Sequence, residues 1–354
     1  MSPTAADFEH ATCPIPIADY PHVLLAHGGG GRLSQMLVER MFGAAFSNPA
    51  LDERHDGAVL DLPQGRVALT TDAFVISPLF FPGGDIGSLA VHGTVNDLAM
   101  CGARPAALTA AFVIEEGLPM DDLWRIVRSM AAAARGAGVP IVAGDTKVVD
   151  RGKGDGVFIT TTGVGVVPAG VHVSPRLARP GDRVLLSGAI AQHGVAILSV
   201  REGLRFETEV RTDSAALNGM VAAMLDVGGD RVHVLRDPTR GGVSSALNEI
   251  AQAARVGIHI DESAIAIAEP VRGACEILGL DPLYVANEGK CIAIVAPEAA
   301  NAVLAAMRAH PAGAEAAIVG GVREGPAGKV FMRSRIGGER VVDMLSGEQL
   351  PRIC

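Results

Sequence analysis

Seven short stretches of this 354-residue chain concentrate residues able to do chemistry. His27-Gly28-Gly29-Gly30-Gly31 leaves a run of backbone N–H groups unshielded, just ahead of Leu33, Met36, Leu37 and Met41 at helical spacing. Bare amides at the positive end of a helix suit phosphate oxygens. The loop is neither a Walker P-loop, for no Gly-Lys-Ser/Thr follows, nor a dinucleotide fingerprint after a strand. Three carboxylates stand in apolar sequence: Asp72 after Val67 and Leu69, Asp97 beside Asn96 in a helical pattern, and Asp145 after the run 139–143. Taken singly, each reads as a cap or a turn residue. Buried carboxylates are costly unless paired or metal-bound, so three of them beside a glycine loop favour a Mg²⁺ site for nucleotide phosphates. Lys147 is either a solvated loop lysine or an ammonium facing phosphate.

Arg236-Asp237-Pro238-Thr239-Arg240-Gly241-Gly242 precedes a helical pattern. Asp237 or Thr239 can cap that helix, and the arginines and glycines equally make an anion pocket. Asn287-Glu288-Gly289-Lys290 precedes a strand, as a hairpin turn or as a glutamate presented as a base. The chain ends in Pro351-Arg352-Ile353-Cys354. By spacing alone this is a frayed end with a chance cysteine, and it is not a prenylation box, which places cysteine fourth from the end. The roughly twenty residues after Met332, broken by glycines, reach about 60 Å when extended, so the thiol can visit a distant site.

The elements that must position these residues alternate between strand and helix. Strands are expected at 56–60, 66–70, 105–114, 139–143 and 157–167, with helices at 86–100 and 120–135. A crossover at 168–180 leads to strands near 183–186, 258–260, 291–295, 317–322 and 329–332, among helices near 195–201, 214–226, 242–254, 271–278 and 297–308. This is mixed α/β (α+β), with sheets layered against helices. The expected units are an extended leader at 1–26, a first domain at 27–168, a second at 169–333 and a mobile tail at 334–354. A net charge of −9 and no basic stripe argue against nucleic acid as the main partner. No apolar run is long enough for a membrane span, the start lacks the pattern of a secretory signal, and five scattered cysteines form neither a disulfide framework nor a zinc pattern. The setting expected is cytoplasmic.

In order, His27–Gly31, Thr70-Thr-Asp-Ala-Phe-Val75, His92-Gly-Thr-Val-Asn-Asp-Leu-Ala99, Ala143-Gly-Asp-Thr-Lys147, Arg236–Gly242, Asn287-Glu-Gly289 and the terminal Pro-Arg-Ile-Cys closely resemble the HypE family, carbamoyl dehydratases of [NiFe]-hydrogenase maturation. The internal motifs indicate the wider superfamily of aminoimidazole ribonucleotide synthetase, selenophosphate synthetase and thiamine monophosphate kinase; the tail narrows it. The resemblance implies a two-domain PurM-like fold whose N-terminal sheet forms a barrel at a homodimer interface, with a layered C-terminal domain and a flexible tail. It implies ATP and Mg²⁺, with Asp72, Asp97 and Asp145 as metal and phosphate ligands. His27, Gly28, Gly29, Gly30, Gly31, Asn96, Thr146, Arg236, Asp237, Thr239, Gly241 and Gly242 would complete the nucleotide site. Cys354 would carry a carbamoyl group, flanked in the cleft by Lys147 and Glu288. ATP-dependent dehydration would turn that thiocarbamate into a thiocyanate, giving ADP and phosphate. The implied partners are HypF, the carbamoyltransferase that loads the tail, and a HypC–HypD scaffold that receives cyanide for the hydrogenase iron.

Two other readings compete. A selenophosphate synthetase-like enzyme phosphorylating a free substrate calls for a reactive cysteine near the N-terminus, and Cys13 in Thr12-Cys13-Pro14 has no adjacent lysine or glycine loop. A nucleotide-binding scaffold without chemistry predicts ATP binding without turnover. Neither needs a terminal cysteine. Cys101, Cys275 and Cys291 read as small core residues.

Overall fold

The computed structural model describes residues 12–15, 19–29, 31–53, 57–204, 209–344 and 353. In its first half, β1 (Arg66–Phe74), β4 (Arg104–Glu115), β5 (Ile141–Val149) and β6 (Val157–Val167) form a four-stranded sheet in the order β1-β6-β4-β5. A small hairpin, β2 (Phe80–Phe81) and β3 (Gly84–Asp85), lies between β1 and the next helix. Alternation along β4 sends Leu108, Ala110, Phe112 and Ile114 inward onto the helices Ile86–Met100 and Met120–Ala137. The other face stays open, with Val67, Leu69 and Val113 exposed. A sheet that is apolar on both faces but covered on one invites a partner.

The second half builds a seven-stranded sheet in the order β13-β12-β9-β11-β7-β10-β8. Its strands are β7 (Arg183–Leu186), β8 (Val232–Arg236), β9 (Gly257–Asp261), β10 (Ile292–Val295), β11 (Ala317–Arg323), β12 (Lys329–Arg333) and β13 (Glu339–Val341). Val184, Leu186 and Val234 pack on one face with helix Gly242–Ala254, while Leu185 and Leu235 pack on the other with helices Asn218–Gly228 and Ala300–Arg308. Leu98, Ala99 and Met100 join that second cluster, so the end of helix Ile86–Met100 fastens the halves together.

Several expectations need correction. Residues 57–60 form no strand, and Val59 is 94% exposed, so the apolar side chain there has no packing to hold an extended segment in place. Asp145 and Lys147 lie on β5 and not beyond its end. β8 was not foreseen at all. The leader is not loose where it is described: Ile15 and Val23 are buried in the first core. Nor does a free tail begin at 334, since β13 pairs with β12, Val342 is buried, and Ser244 and Asn248 donate to the carbonyls of Asp343 and Val342.

Candidate functional site

The two halves face each other across a cleft. β1 directs Thr70 and Asp72 toward helix Ile86–Met100, where Thr70 Oγ1 donates to Asp97 Oδ2 at 2.8 Å. Opposite stand the Asp237–Gly242 loop after β8, the Asn287–Lys290 loop before β10, and the segment Thr212–Ala215.

Mutual electrostatics ties these carboxylates into one group. Burial, and after it the charge of Asp97, pushes Asp237 up to about 6, against the pull of Arg236. Burial, then Asp237, Asp213, Asp72 and Asp97, pushes Glu288 well above the usual carboxylate range. Burial also raises Asp72 and Asp97, with Arg240 opposing at the first and Thr70 and Arg236 at the second. Glu288 is only 4% exposed, and its Oε1 has no hydrogen-bond partner among the described residues. Glu288 therefore has the character of a base whose affinity for a proton is raised by burial and by its carboxylate neighbours.

Backbone-bound side chains hold the group in place. Asn287 is fully buried; its Oδ1 accepts from Ala191 N and its Nδ2 donates to the Pro238 and Val285 carbonyls, joining three loops. A Cβ on Gly289 would stand 1.8 Å from the Asp213 carbonyl oxygen, so only glycine allows this approach. Glu288 N then donates to Asp213 Oδ1 at 3.1 Å. Asn96 spends its amide on Ala215 O, Glu288 O and Leu217 N, so it fixes the backbone of these segments. Gly241 and Gly242 both have positive φ, and a Cβ on Gly242 would meet the Leu283 and Val285 carbonyls.

The other expected residues form a separate group. Gly28 packs so closely on β5 that a Cβ would meet Val148 N at 2.4 Å. Gly31 caps the helix that starts at Arg32, as expected for a glycine loop opening a helix. His27 is buried, which lowers its pKa, and its Nδ1 accepts from Leu24 N. On β5, Lys147 Nζ lies 2.6 Å from both oxygens of Asp145, which also accepts from Thr146 N. That pair is largely exposed, and the lysine holds Asp145 below its ordinary range. Gly30 and Cys354 lie outside the described residues.

Register keeps Asp145 away from the acidic cleft. Asp72 shares a row with Thr161, Ala110 and Gly144, whereas Asp145 shares one with Ala111, Thr160 and Ala73. Adjacent rows point to opposite faces, and β1 and β5 are opposite edges about 14 Å apart at ~4.8 Å per strand. Asp72 and Asp97 thus keep company with Asp237 and Glu288, and not with Asp145. Among the described residues no three His, Cys, Asp or Glu side chains make a ready metal-ligand set. Carboxylates that raise one another's proton affinity nevertheless suit a hard cation that takes its remaining ligands from phosphate and water, as Mg²⁺ does.

Sequence reasoning missed Lys290, Asp213 and His193, and saw Arg240 only as one arginine of a possible anion pocket. Arg240 and Lys290 sat inside quoted motifs. Asp213 lay in the polar run Thr212-Asp213-Ser214, which reads as an ordinary turn before a helix. Lys290 Nζ is 3.9 Å from Asp213 Oδ2, an ion pair beyond hydrogen-bond range.

Residues 54–167 match the AIR synthase related protein N-terminal domain family, and residues 179–333 match its C-terminal domain family. The chain is 62% identical over 332 residues to the carbamoyl dehydratase HypE of Azotobacter vinelandii, covering 94% of this chain and 97% of that one. It resembles the crystal structure of hydrogenase maturation protein HypE in complex with ATP, with a TM-score of 0.91, 51% identity and coverage of 94% and 99%. It also resembles the crystal structure of a HypE–HypF complex, with a TM-score of 0.77, 48% identity and coverage of 87% and 99%.

Proposed function

The chain belongs to the HypE family of carbamoyl dehydratases, and from that premise we propose that it dehydrates a carbamoyl group carried on its own Cys354, using ATP, during hydrogenase maturation. The observation that carries this reading is Glu288, a buried carboxylate with an unpartnered oxygen and a strongly raised proton affinity. The same hydrogen-bonded unit that seats it also holds Ile353, which is buried and bonded to His193.

The reaction balances as follows. The carbamoyl oxygen of S–C(=O)–NH₂ takes the terminal phosphoryl group of ATP, giving S–C(OPO₃²⁻)=NH, ADP and a proton. Loss of the remaining N–H proton and of phosphate leaves S–C≡N. Glu288 accepts a nitrogen proton, which burial and the neighbouring carboxylates favour. Asp72, Asp97 and Asp237 would hold Mg²⁺, which supplies neutralisation of phosphate charge. Arg236 and Arg240 lie on the same side as the acidic loop and would orient phosphate oxygens. Asn96 and Asn287 fix the loops that carry the base.

Asp145, Thr146, Lys147 and the glycine loop belong, in this reading, to the cleft of a dimer mate. The open face bearing Val67, Leu69 and Val113 would pair with its twin as a barrel, bringing β5 of one chain to the acidic cleft of the other. Lys147 would there stabilise charge on the oxygen or phosphate. HypF would load the thiol, a HypC–HypD scaffold would take the cyanide, and the work would be cytoplasmic.

Intact mass tests the proposal. After incubation with a HypF carbamoyltransferase, carbamoyl phosphate and ATP, the protein is expected to gain one carbamoyl group on Cys354. It is then expected to lose one water with Mg²⁺ and ATP, and Cys354→Ala is expected to do neither. An unchanged mass beside a demonstrably active HypF refutes the carrier role.

A further inference from the structure

The residue that holds the tail is itself a device. His193 opens helix Gln192–Arg201 and is completely buried. Its Nε2 lies 2.7 Å from the carbonyl oxygen of Ile353, and its Nδ1 lies 2.7 Å from Thr212 Oγ1. A carbonyl only accepts, so Nε2 carries the proton and Nδ1 is bare, taking the Thr212 hydroxyl hydrogen. The same hydroxyl oxygen accepts from Ser214 N, and Thr212 N donates to the Pro82 carbonyl, so the threonine is held from both sides. Burial lowers the His193 pKa and keeps the ring in this neutral form. Phe81 stands edge-on to the imidazole, with centroids 5.7 Å apart.

Ile353 is anchored twice, by its carbonyl and by its side chain, which is 3% exposed in a cluster that includes Phe81, Ile197 and Ala286. Cys354 is the next residue in sequence. On the other side of the latch, Thr212 is followed by Asp213, whose Oδ1 accepts from the backbone of Glu288. Asn287 ties Ala191, two residues before His193, to the Asp237 loop. The grip on the tail and the seat of the base are thus parts of one hydrogen-bonded unit.

We propose that His193, oriented by Thr212, is the positioning residue that latches the tail at Ile353, the residue before the carrier Cys354. In its catalytic consequence the latch rests on the dehydratase reading above. As a binding event it does not.

The test uses the full-length chain and iodoacetamide, with labelling of each cysteine followed on its own peptide by mass. In the wild type the latched Cys354 is expected to label slowly. His193→Ala is expected to speed that labelling about tenfold, the ratio a single buried hydrogen bond supports. His193→Gln, which keeps an N–H donor, is expected to restore most of the protection. Exposed Cys101 serves as an internal standard, and buried Cys275 and Cys291 report any loss of fold. If His193→Ala exposes those two, Thr212→Val carries the test, with the same direction expected at Cys354 alone. In single-turnover dehydration both variants are expected to slow in proportion to their loss of protection, with nucleotide affinity unchanged. Wild-type labelling of Cys354 in a folded His193→Ala or Thr212→Val protein overturns the latch. His193-dependent protection in a protein that never removes water from a carbamoyl group upholds the latch and sinks the dehydratase reading.

Discussion

Replacing Asp237 by asparagine is expected to stabilise the cation-free protein above pH 6, although the residue belongs to the site. Burial first, and Asp97 second, raise Asp237 from 3.8 to about 6. Between those values the folded chain keeps the proton and the unfolded chain releases it, so stability falls as pH rises and levels off above 6. A shift of about two units corresponds to about 3 kcal/mol at 1.36 kcal/mol per unit, an upper bound because Asp97, Asp72 and Glu288 relax when the charge goes. Asparagine keeps the shape and removes the charge. Allowing for that relaxation, the variant is expected to melt about 4–8 °C above wild type at pH 8, using ~2–4 °C per kcal/mol for a unit of this size. At pH 4 the two are expected to coincide. The assay is thermal unfolding from pH 4 to 8 in EDTA, repeated with Mg²⁺ and a non-hydrolysable ATP analogue. With the analogue, wild type is expected to gain more than the variant, because its carboxylates then have a cation to meet. A variant less stable than wild type at pH 8 in EDTA refutes the reasoning, since the carboxylate would then be a favourable element of the fold.

Three further substitutions probe the supports. Gly289→Ala forces a Cβ within 1.8 Å of the Asp213 carbonyl, so loss of several degrees in melting and near-complete loss of dehydration are expected together, read by calorimetry and intact mass. Asn96→Ala strips partners from three backbone groups at the junction of the halves and is expected to cost about 2–4 kcal/mol in denaturant unfolding. Lys147→Ala breaks only an exposed pair and is expected to leave stability within about 0.5 kcal/mol, so its loss of activity would be chemical in origin. Mixing Lys147→Ala with Glu288→Gln chains is expected to restore up to about one site in every mixed dimer if lysine and base come from different chains; no restoration places them in one chain.

The sequence announced most elements through periodicity, as with helix Ile86–Met100 and β6, whose spans were read to the residue. It failed where the partner decides. The three-residue β13 has too little pattern to see, and 57–60 has a strand's composition yet forms no strand. The acidic residues were legible as a set because charge in apolar sequence is costly wherever it falls. Their grouping was not, because strand order and row parity, which set Asp145 apart from Asp72, arise only when β6 and β4 insert between β1 and β5. Asn287 and Asn96 were equally opaque. An asparagine that binds three backbone groups looks in sequence like one that binds a ligand.

The arrangement also explains why so much of the cleft is bound to backbone. Asp72, Asp97, Asp237 and Glu288 destabilise one another's ionised forms, so left alone they would drive their loops apart. Asn287, Asn96 and the glycine contact at Gly289 resist that with bonds that do not titrate. The cleft is therefore strained in its charges and rigid in its frame. In the proposed reaction a cation and phosphates would relieve the strain without needing to move the frame, so binding energy would go into holding the reacting group. The carbonyl of Ile353 is held by His193, which Asn287 ties to the same frame through Ala191.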